Sequence, residues 1–431
     1  MSAGGVRFRC HGCQAAVDPA QALPFRCPGA GAEGDDRDHV LVPDDGGADF
    51  PGGGEPDPFL RYRTLLSPYR LARAAGLPES AWFDIVGGLD RALTSVDGRG
   101  FRVTPMGSAP DLARAAGFDG ELWVKDETGN VSGSHKARHL MGVILYLRVL
   151  EVAGLPAGRG LRDRRLAIAS CGNAALAAAV IARAAEWALD VYIPPGASGA
   201  VVKRLRDLGA AITVCERRPG EAGDPCYLRF QESVSRGALP FGVQGSANGL
   251  AIEGGRTLAF EMADQLRQAK AACGSLYAQV GGGALASALA QGFHAAVARG
   301  VLDRLPRLVA VQTSACAPLE RAWRLSRDLP LAEATRARSH YMWPWESVSA
   351  SLAEGILDDE TYDWWAVLDG MRRSGGHPVI VGEDALARAQ QLVRRHAGLS
   401  ASATGTSGLA GALVAPPATG SLAVVVSGAA R

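Results

Sequence analysis

The chain has 431 residues, of which 47% are hydrophobic and 21% charged, and its formal net charge is +1. This length predicts more than one domain around a large buried core. The balanced charge excludes the strongly basic surface by which proteins hold nucleic acid or acidic membranes. The N-terminus lacks the apolar segment of a secretory signal, so we expect a cytoplasmic protein that contacts neither nucleic acid nor membrane.

Lysine is rare in this chain. Only Lys125, Lys136, Lys203 and Lys270 are lysines, so arginine provides the other 41 of the 45 basic residues. A lysine kept against this preference is informative, because a primary amine can form a Schiff base and a guanidinium cannot.

Three cysteines cluster near the N-terminus. Cys10, Cys13 and Cys27 have the spacing of a zinc ribbon, but Ala30 stands where the fourth cysteine is expected. His39 could complete a Cys₃His site. Two interpretations stay open: the module binds a structural zinc ion, or it is a degenerate ribbon that folds without metal.

The rest of the chain alternates between strands and helices. Helical spacing dominates from Phe59 to about Gly100, and short apolar strands separated by helical stretches follow. The predicted strands are 121–127, 165–170, 189–194, 210–216, 275–281, 307–314 and 421–428. Apolar strands that alternate with helices predict a parallel sheet covered on both faces.

Ligands of open α/β sheets bind in loops beyond the carboxyl ends of strands, and two such loops are notable. QVGGGALASALAQGF, 279–293, could cradle a phosphate at a helix N-terminus, or could be a tight strand-to-helix turn. IASCGNAALAAAV, 168–180, could bind a carboxylate, or Asn173 could simply cap the helix. Neither loop matches the dinucleotide or nucleoside triphosphate fingerprints.

GNVSGSHKARH, 129–139, places Lys136 in the first turn of a predicted helix that begins near His135. A cation there opposes the helix dipole. Burial and the positive end of the helix would both lower its pKa, which Schiff-base chemistry needs.

Together these motifs resemble the landmarks of the fold-type II pyridoxal-phosphate (PLP) enzymes, the tryptophan synthase β superfamily. The matching segments are VKDETGNVSGSHKARH, SCGNA, VGGGALAS and the late VVSG. RVTPM, IEGGRTLAFEMADQL and TSGLAGAL are similar to the threonine synthase branch. The resemblance covers roughly residues 100–431.

The resemblance implies a fold class: α/β, with two open, mostly parallel twisted sheets flanked by helices, and a small N-terminal zinc-ribbon-like module. It also implies the domains. Residues 1–58 would form the cysteine-containing module and linker, and 59–160 plus 255–431 the large PLP-binding domain. Residues 161–254 would form a small, mobile domain on the substrate side.

The resemblance also implies which residues hold the cofactor. Lys136 would form the Schiff base with PLP and then act as the acid–base group at the substrate Cα. Asn173 would bond the phenolic oxygen of the cofactor ring, and the Ser427 hydroxyl would meet its pyridine nitrogen. A hydroxyl at that nitrogen leaves it largely unprotonated, which favours elimination and replacement over transamination. The cofactor phosphate would be bound by the backbone amides of Gly281, Gly282, Gly283, Ala284 and Leu285.

Other positions are implied to hold the substrate. Its carboxylate would lie among Ser170, Cys171, Gly172, Asn173 and Ala174, with Ser134 and Arg138 also in contact. A phosphorylated substrate would need further cations, for which Lys125, Arg138 and Arg256 are candidates. The clustered tryptophans in residues 345–365 are more typical of a protein core or a dimer interface than of a substrate-binding pocket.

Two positions depart from the threonine synthase pattern, which usually reads SFKDR and SSGN where this chain reads SHKAR and SCGN. His135 could be a second acid–base group or a packed, hydrogen-bonded residue. Cys171 could be a small buried residue or could line the substrate site.

The resulting functional hypothesis is a lyase or synthase that forms an external aldimine with a β- or γ-substituted L-amino acid. It would remove the Cα proton and then eliminate or replace the substituent, as threonine synthase-like enzymes do. Serine or threonine ammonia-lyase chemistry and β-replacement of the cysteate synthase kind are alternatives. A catalytically inactive protein that binds through its zinc ribbon is a further one. The resemblance also implies a homodimer.

Overall fold

The computed structural model describes residues 6–221, 223–417 and 420–431. Its strands form three sheets. In chain order they are β1 Phe8–Cys10, β2 Ala16–Val17, β3 Leu41–Pro43, β4 Met106–Ser108, β5 Leu122–Asp126, β6 Leu166–Ala169, β7 Leu189–Ile193, β8 Ala211–Val214, β9 Leu239–Pro240, β10 Ser275–Gln279, β11 Arg307–Thr313, β12 His377–Val381 and β13 Leu422–Val426.

The helices fill the connections between these strands. They are α1 Pro58–Arg61, α2 Ser67–Ala74, α3 Glu79–Asp97, α4 Pro110–Ala116, α5 Lys136–Val152, α6 Asn173–Ala184, α7 Gly199–Asp207, α8 Pro225–Ser235, α9 Ala251–Gln268, α10 Ala284–Ala298, α11 Pro318–Ser326, α12 Leu331–Ala334, α13 Trp364–Ser374, α14 Glu383–Leu392 and α15 Ala403–Val414.

The two larger sheets are mostly parallel. The six-stranded sheet has the order β12-β11-β10-β13-β5-β4, and only the β4–β5 pair is antiparallel. The four-stranded sheet has the order β8-β7-β6-β9 and is entirely parallel. Central strands such as β10 and β13 are buried along their whole length, as sheets covered on both faces require. The predicted fold class is confirmed.

All seven predicted strands are present, with ends that differ by one or two residues. The sequence analysis missed β4, β9 and β12, each of which forms an edge of its sheet. β9 and β12 each contain a proline, at Pro240 and Pro378, which removes a ladder donor and hides the strand pattern.

The N-terminal module is a three-stranded antiparallel sheet of order β2-β1-β3. It is packed onto the rest of the protein. His11 stacks on Trp365 with ring centroids 3.6 Å apart. The Asp36 carboxylate accepts from the Ser339 amide at 3.0 Å and from its hydroxyl at 2.7 Å.

No single helix among the described residues is long and apolar enough to cross a membrane. Helix α5 reaches the length and apolar composition of a membrane span only when it is taken together with residues 156–163. The two segments are bent by 107° relative to each other.

A buried ion network ties the start of α5 to β5 and α9. The Arg138 guanidinium donates to Glu127 at 2.8 Å and to Glu261 at 2.6 Å. Lys125 Nζ donates to Glu261 at 2.6 Å. All four side chains are fully excluded from solvent, so each cation is paired with a carboxylate in a region of low dielectric constant.

We expect Glu261→Gln to lower the free energy of unfolding by about 3–5 kcal/mol, because Lys125 and Arg138 would keep their charges with one carboxylate between them. Urea unfolding midpoints measure the loss. The control is Asp207→Asn in the exposed pair with Lys203, whose atoms are 2.7 Å apart. That pair should contribute less than about 1 kcal/mol. Equal losses in the two variants would contradict the role given to the network.

Candidate active site

Lys136 is the first residue of α5, one position later than the helix start suggested by the sequence. Among the residues that the structure describes, none accepts a hydrogen bond from its Nζ. Burial lowers the pKa of this amine, although the carboxylates of Asp358 and Asp363 oppose the shift. The side chain keeps part of its surface accessible to solvent. Lys136 is therefore a reachable amine that gives up its proton more readily than an ordinary lysine.

The other three lysines are unsuited to this role. Lys125 is buried and bonded to Glu261, to the Thr104 carbonyl and to Gln265. Lys203 is exposed and paired with Asp207, and Lys270 is exposed just after the end of α9.

The loops predicted to carry chemistry meet around Lys136. Ser134 forms a β-bridge with Gly428, and the His135 amide donates to the Ser427 carbonyl at 3.1 Å. A Cβ atom added to Gly428 would lie 2.8 Å from Asn173 Nδ2. The loops after β5, β6 and β13 therefore share one cleft at the carboxyl ends of their strands.

The glycine loop after β10 opens helix α10. Gly283 caps the helix with a φ of +96°, which an L side chain rarely adopts. The loop is backed by the segment before α13: Thr361 Oγ1 donates to the Gly281 carbonyl at 3.0 Å, and the Asp363 amide donates to the Gly282 carbonyl at 3.0 Å. Asp358 and Asp363 in this segment are also the carboxylates that oppose the lowering of the Lys136 pKa.

Comparison with known proteins agrees with this geometry. Residues 99–428 match the family model described as "Pyridoxal-phosphate dependent enzyme". The chain belongs to this family. Its cofactor is therefore pyridoxal phosphate (PLP).

Relatives within the PLP family include synthases and dehydratases. The threonine synthase of Methanocaldococcus jannaschii is 25% identical over 310 residues, which cover 72% of this chain and 68% of the relative. The threonine synthase of Synechocystis is 29% identical over 314 residues, with 72% and 73% covered. Serine dehydratases are also similar to the chain. Maize serine racemase shares the fold, with a TM-score of 0.59 at 17% identity over 80% of this chain and 92% of that one.

Several groups in the cleft fit PLP. The glycine loop offers backbone amides at the N-terminus of α10, where an anion is favoured. Ser134 Oγ and His135 Nε2 are buried, and neither has a hydrogen-bond partner among the described residues. Buried polar atoms normally have partners, and these two are available to a molecule bound in the cleft.

The structure favours the hydrogen-bonded role for His135. Its Nδ1 lies 3.1 Å from the Ser427 carbonyl, which can only accept, so Nδ1 carries the proton and Nε2 has a free lone pair. Burial, with a smaller contribution from Lys136, lowers the pKa of His135 well below its ordinary value. A neutral imidazole of this kind is a poor proton donor at neutral pH.

Asn173 begins α6 and does not cap it. The cap residue is Gly172, and no side-chain cap bond is formed. Asn173 Oδ1 instead accepts from Arg431 Nε at 2.8 Å. This contact leaves the Asn173 amide nitrogen free to donate into the cleft. The sequence analysis missed Arg431 because no local motif indicates it.

The structure excludes one alternative for Cys171 and contradicts the substrate role expected for Arg138. Cys171 is exposed on its loop, so the buried alternative fails. Arg138 does not contact the substrate, because its guanidinium bonds Glu127, Glu261, Thr104 and Thr257 and is excluded from solvent.

The remaining cations proposed for a substrate phosphate are both buried in the fold. Lys125 belongs to the ion network described above. Arg256 lies in α9 with its guanidinium 5.5 Å from the Phe260 ring centroid, and its Nε has no hydrogen-bond partner among the described residues.

The segment with clustered tryptophans has two functions in the fold. Trp364 and Trp365 are buried, as expected for core residues. The same segment also lines the cleft, because the Asp358 carboxylate accepts a hydrogen bond from the Gly282 amide at 2.8 Å. The sequence analysis gave Asp358 no role, since its contact with the loop spans 76 residues.

The predicted metal ligands come together in the N-terminal module. The ligand atoms of Cys10, Cys13, Cys27 and His39 all lie within 4.8 Å of one another. His39 Nε2 lies 2.6 Å from Asp35 Oδ2, which fixes the tautomer with a free Nδ1. That Nδ1 faces Cys10 Sγ at 3.4 Å. A carboxylate behind a histidine is the usual arrangement at metal sites.

We expect Asp358→Asn to bind PLP at least about tenfold more tightly, a change of about 1.4 kcal/mol. The reason is that the Asp358 carboxylate, which accepts the Gly282 amide, repels a phosphate bound by the same loop. Two charges 4 Å apart near a protein surface interact by about 4 kcal/mol. Absorbance titration of apoprotein with PLP measures the affinity. Asp359→Asn is the matched control and should change it little. Unchanged or weaker binding by Asp358→Asn would rule out this competition.

Proposed function

We propose that this PLP-dependent enzyme removes the Cα proton of an L-amino acid and expels or replaces a substituent at its β or γ carbon. The observation that carries the proposal is the Lys136 amine, which has no hydrogen-bond acceptor among the described residues and follows directly on Ser134 and His135, whose contacts with Gly428 and Ser427 join the loops after β5 and β13. Lys136 would bind the cofactor aldehyde, and the amides of residues 281–285 would bind its phosphate. When bound, PLP supplies the electron sink that stabilises negative charge at Cα.

The chain's own residues would then divide the remaining work. The lowered pKa of Lys136 lets Nζ accept a proton from Cα and return it elsewhere on the substrate. The loop of residues 170–174 presents backbone amides at the start of α6, where the helix dipole favours the substrate carboxylate. Ser134 would contact the substrate from the opposite loop. Asn173 would donate to the cofactor ring while Arg431 holds its oxygen.

Three arginines at the mouth of the cleft support an anionic leaving group, such as the phosphate of a phosphorylated homoserine in a threonine synthase-like reaction. Arg99 and Arg204 lie 3.6 Å and 3.8 Å from the single carboxylate of Asp97. Burial lowers the pKa of Arg431, and repulsion from Arg204 and Arg99 adds to the shift. The cluster therefore has surplus positive charge beside Ser132, whose carbonyl accepts from Arg431.

A second candidate is an ammonia-lyase acting on serine or threonine. It is favoured by the engagement of Lys125 and Arg138 in the buried ion network, which removes two of the buried cations proposed for a substrate phosphate. β-Replacement by a second nucleophile would use the same residues up to the loss of the substituent.

Lys136→Ala is the test of the catalytic lysine. We expect the wild-type protein to bind PLP with a visible absorption band that borohydride reduction fixes covalently, and the variant to lose both the fixation and all turnover. Lys270→Ala, on the exposed end of α9, should retain both. Reduction that labels Lys136→Ala as strongly as the wild type would overturn the assignment.

Arg204→Gln should distinguish the two candidates. If the arginines bind an anionic leaving group, KM for O-phospho-L-homoserine should rise about tenfold or more, the loss of about 1.4 kcal/mol of binding, while kinetics with L-serine stay unchanged. Arg206→Gln, an exposed arginine on the same helix, is the control. Turnover of L-serine and L-threonine to ammonia, with none of the phosphorylated substrate, would favour the ammonia-lyase.

We also propose that the N-terminal module binds one structural zinc ion through Cys10, Cys13, Cys27 and His39. The convergence of four ligand atoms supports this, as does the amide of Gly29, which donates to Cys27 Sγ at 3.4 Å. A closed set of four ligands leaves no position for substrate, so the metal would stabilise the fold.

Metal analysis of the purified protein should find about one zinc ion per chain, as a closed four-ligand site implies. Cys13→Ser should lose it and melt at a lower temperature. Cys273→Ser, which removes a buried cysteine far along the chain from the cluster, should keep the metal. Protein that is metal-free and as stable as a zinc-loaded sample would support the degenerate ribbon instead.

A further inference from the structure

The Ser427 hydroxyl follows β13 and is buried in the cleft. A serine hydroxyl can either donate a hydrogen bond or accept one. Beside the pyridine nitrogen of PLP these two states have opposite effects: a donor needs an unprotonated nitrogen, whereas an acceptor stabilises a protonated one. The unprotonated ring that the family resemblance implies therefore requires the hydroxyl to donate, and the neighbours of Ser427 decide whether it does.

Gln279, the last residue of β10, is the neighbour in contact with this hydroxyl. Its Nε2 lies 2.5 Å from Ser427 Oγ, and also 3.2 Å from the Gly405 carbonyl and 3.4 Å from the Val425 carbonyl. Its Oε1 is buried and has no donor among the described residues. The side chain is 3% exposed, so water offers it little alternative.

These contacts determine the orientation of the Gln279 amide on chemical grounds. Two of the three oxygens around Nε2 are carbonyls, which only accept, so the group facing them must be the NH₂. The reverse orientation would put Oε1 against both carbonyls and bury two N–H donors without acceptors, which is costly. Gln279 therefore donates to Ser427, and the hydroxyl accepts.

The direction of the Ser427 proton follows from this bond. One lone pair of Oγ is engaged by Gln279, and no described residue accepts the hydroxyl proton. Accepting one hydrogen bond also strengthens a hydroxyl as a donor. The proton is thus free for an acceptor in the cleft.

We propose that Gln279 is a positioning residue that fixes Ser427 as a hydrogen-bond donor and so keeps the PLP pyridine nitrogen unprotonated. This inference rests on the proposed function, in which Ser427 meets that nitrogen. An unprotonated ring withdraws less charge from Cα, which disfavours transamination relative to loss of a substituent. Gln279 would thereby restrict the type of reaction without touching the substrate.

The first measurement is the ¹⁵N resonance of ring-labelled PLP bound to the wild-type protein, followed over pH. We expect the value of an unprotonated, hydrogen-bonded pyridine at neutral pH, with no titration. A pyridinium resonance at neutral pH would overturn the inference, and this result needs no variant to fold. Protein that does not bind PLP at all would instead refute the proposed cofactor site.

The second measurement uses Gln279→Met, which keeps the length of the side chain and removes the donor. Ser427 could then turn its proton to the Gly405 or Val425 carbonyl and accept from a protonated ring. We expect the ring resonance to shift toward pyridinium and to titrate, and transamination to rise relative to elimination. Gln291→Met is the matched control, because Gln291 donates to the Ser287 hydroxyl at 3.1 Å within α10, and it should leave the resonance unchanged.

A double-mutant cycle separates positioning from packing. If Gln279 acts through the hydroxyl, Gln279→Met should cause no further shift in a Ser427→Ala background. A loss of stability in Gln279→Met with an unchanged ring resonance would show that the glutamine only supports the fold. The same shift with and without Ser427 would also overturn the proposal.

Discussion

The pairing of Arg138 and Lys125 with Glu127 and Glu261 determines where the active-site lysine lies. Charges inside a protein are tolerated only when they are paired, so the segments that carry these four residues have to meet. Glu127 directly follows β5, Glu261 lies in the middle of α9, and Arg138 belongs to the first turn of α5. Because Arg138 bonds both Glu127 and Glu261, the start of α5 is fixed relative to β5 and α9. Lys136 lies two residues before Arg138, at the N-terminus of the helix. The arginine that resembled a substrate ligand is a structural residue that positions the lysine.

The cleft itself is arranged to direct hydrogen bonds. Gln279 engages one lone pair of Ser427, Arg431 engages the oxygen of Asn173, and the Ser427 carbonyl holds the protonated nitrogen of His135. Each of these side chains could either donate or accept a hydrogen bond. Each contact occupies one of the two functions, so the side chain offers only the other to a ligand in the cleft. A pre-arranged set of this kind costs no reorientation when a ligand arrives. Asp358 and Asp363 bring carboxyl groups to the cleft, on the segment that backs the glycine loop.

Much of this arrangement was predictable from the sequence, for reasons that are local. The interior strands are mostly apolar runs, and such runs predicted all six of them as well as the edge strand β8. The edge strands β4, β9 and β12 are short or contain proline, so their pattern is weak. The lysine was conspicuous because arginine replaces it almost everywhere else. The contacts of Gln279, Asp358 and Arg431 join residues 76 to 258 positions apart, and no local pattern reveals such pairs. Burial of Arg138 depended on partners in α9 and was hidden for the same reason.

The small number of lysines has a consequence for selectivity. Aldehydes condense with any accessible unprotonated amine, and a protein rich in surface lysines offers many competing attachment points. Here one of the four lysines is enclosed in an ion network, and two are exposed on the surface. Burial lowers the pKa of both Lys125 and Lys136, but Lys125 is excluded from solvent whereas Lys136 keeps surface that an aldehyde could reach. The protein therefore limits condensation of aldehydes at other lysines through the composition of the whole chain as well as through the cleft. The same limit applies to every reactive carbonyl compound that the protein meets.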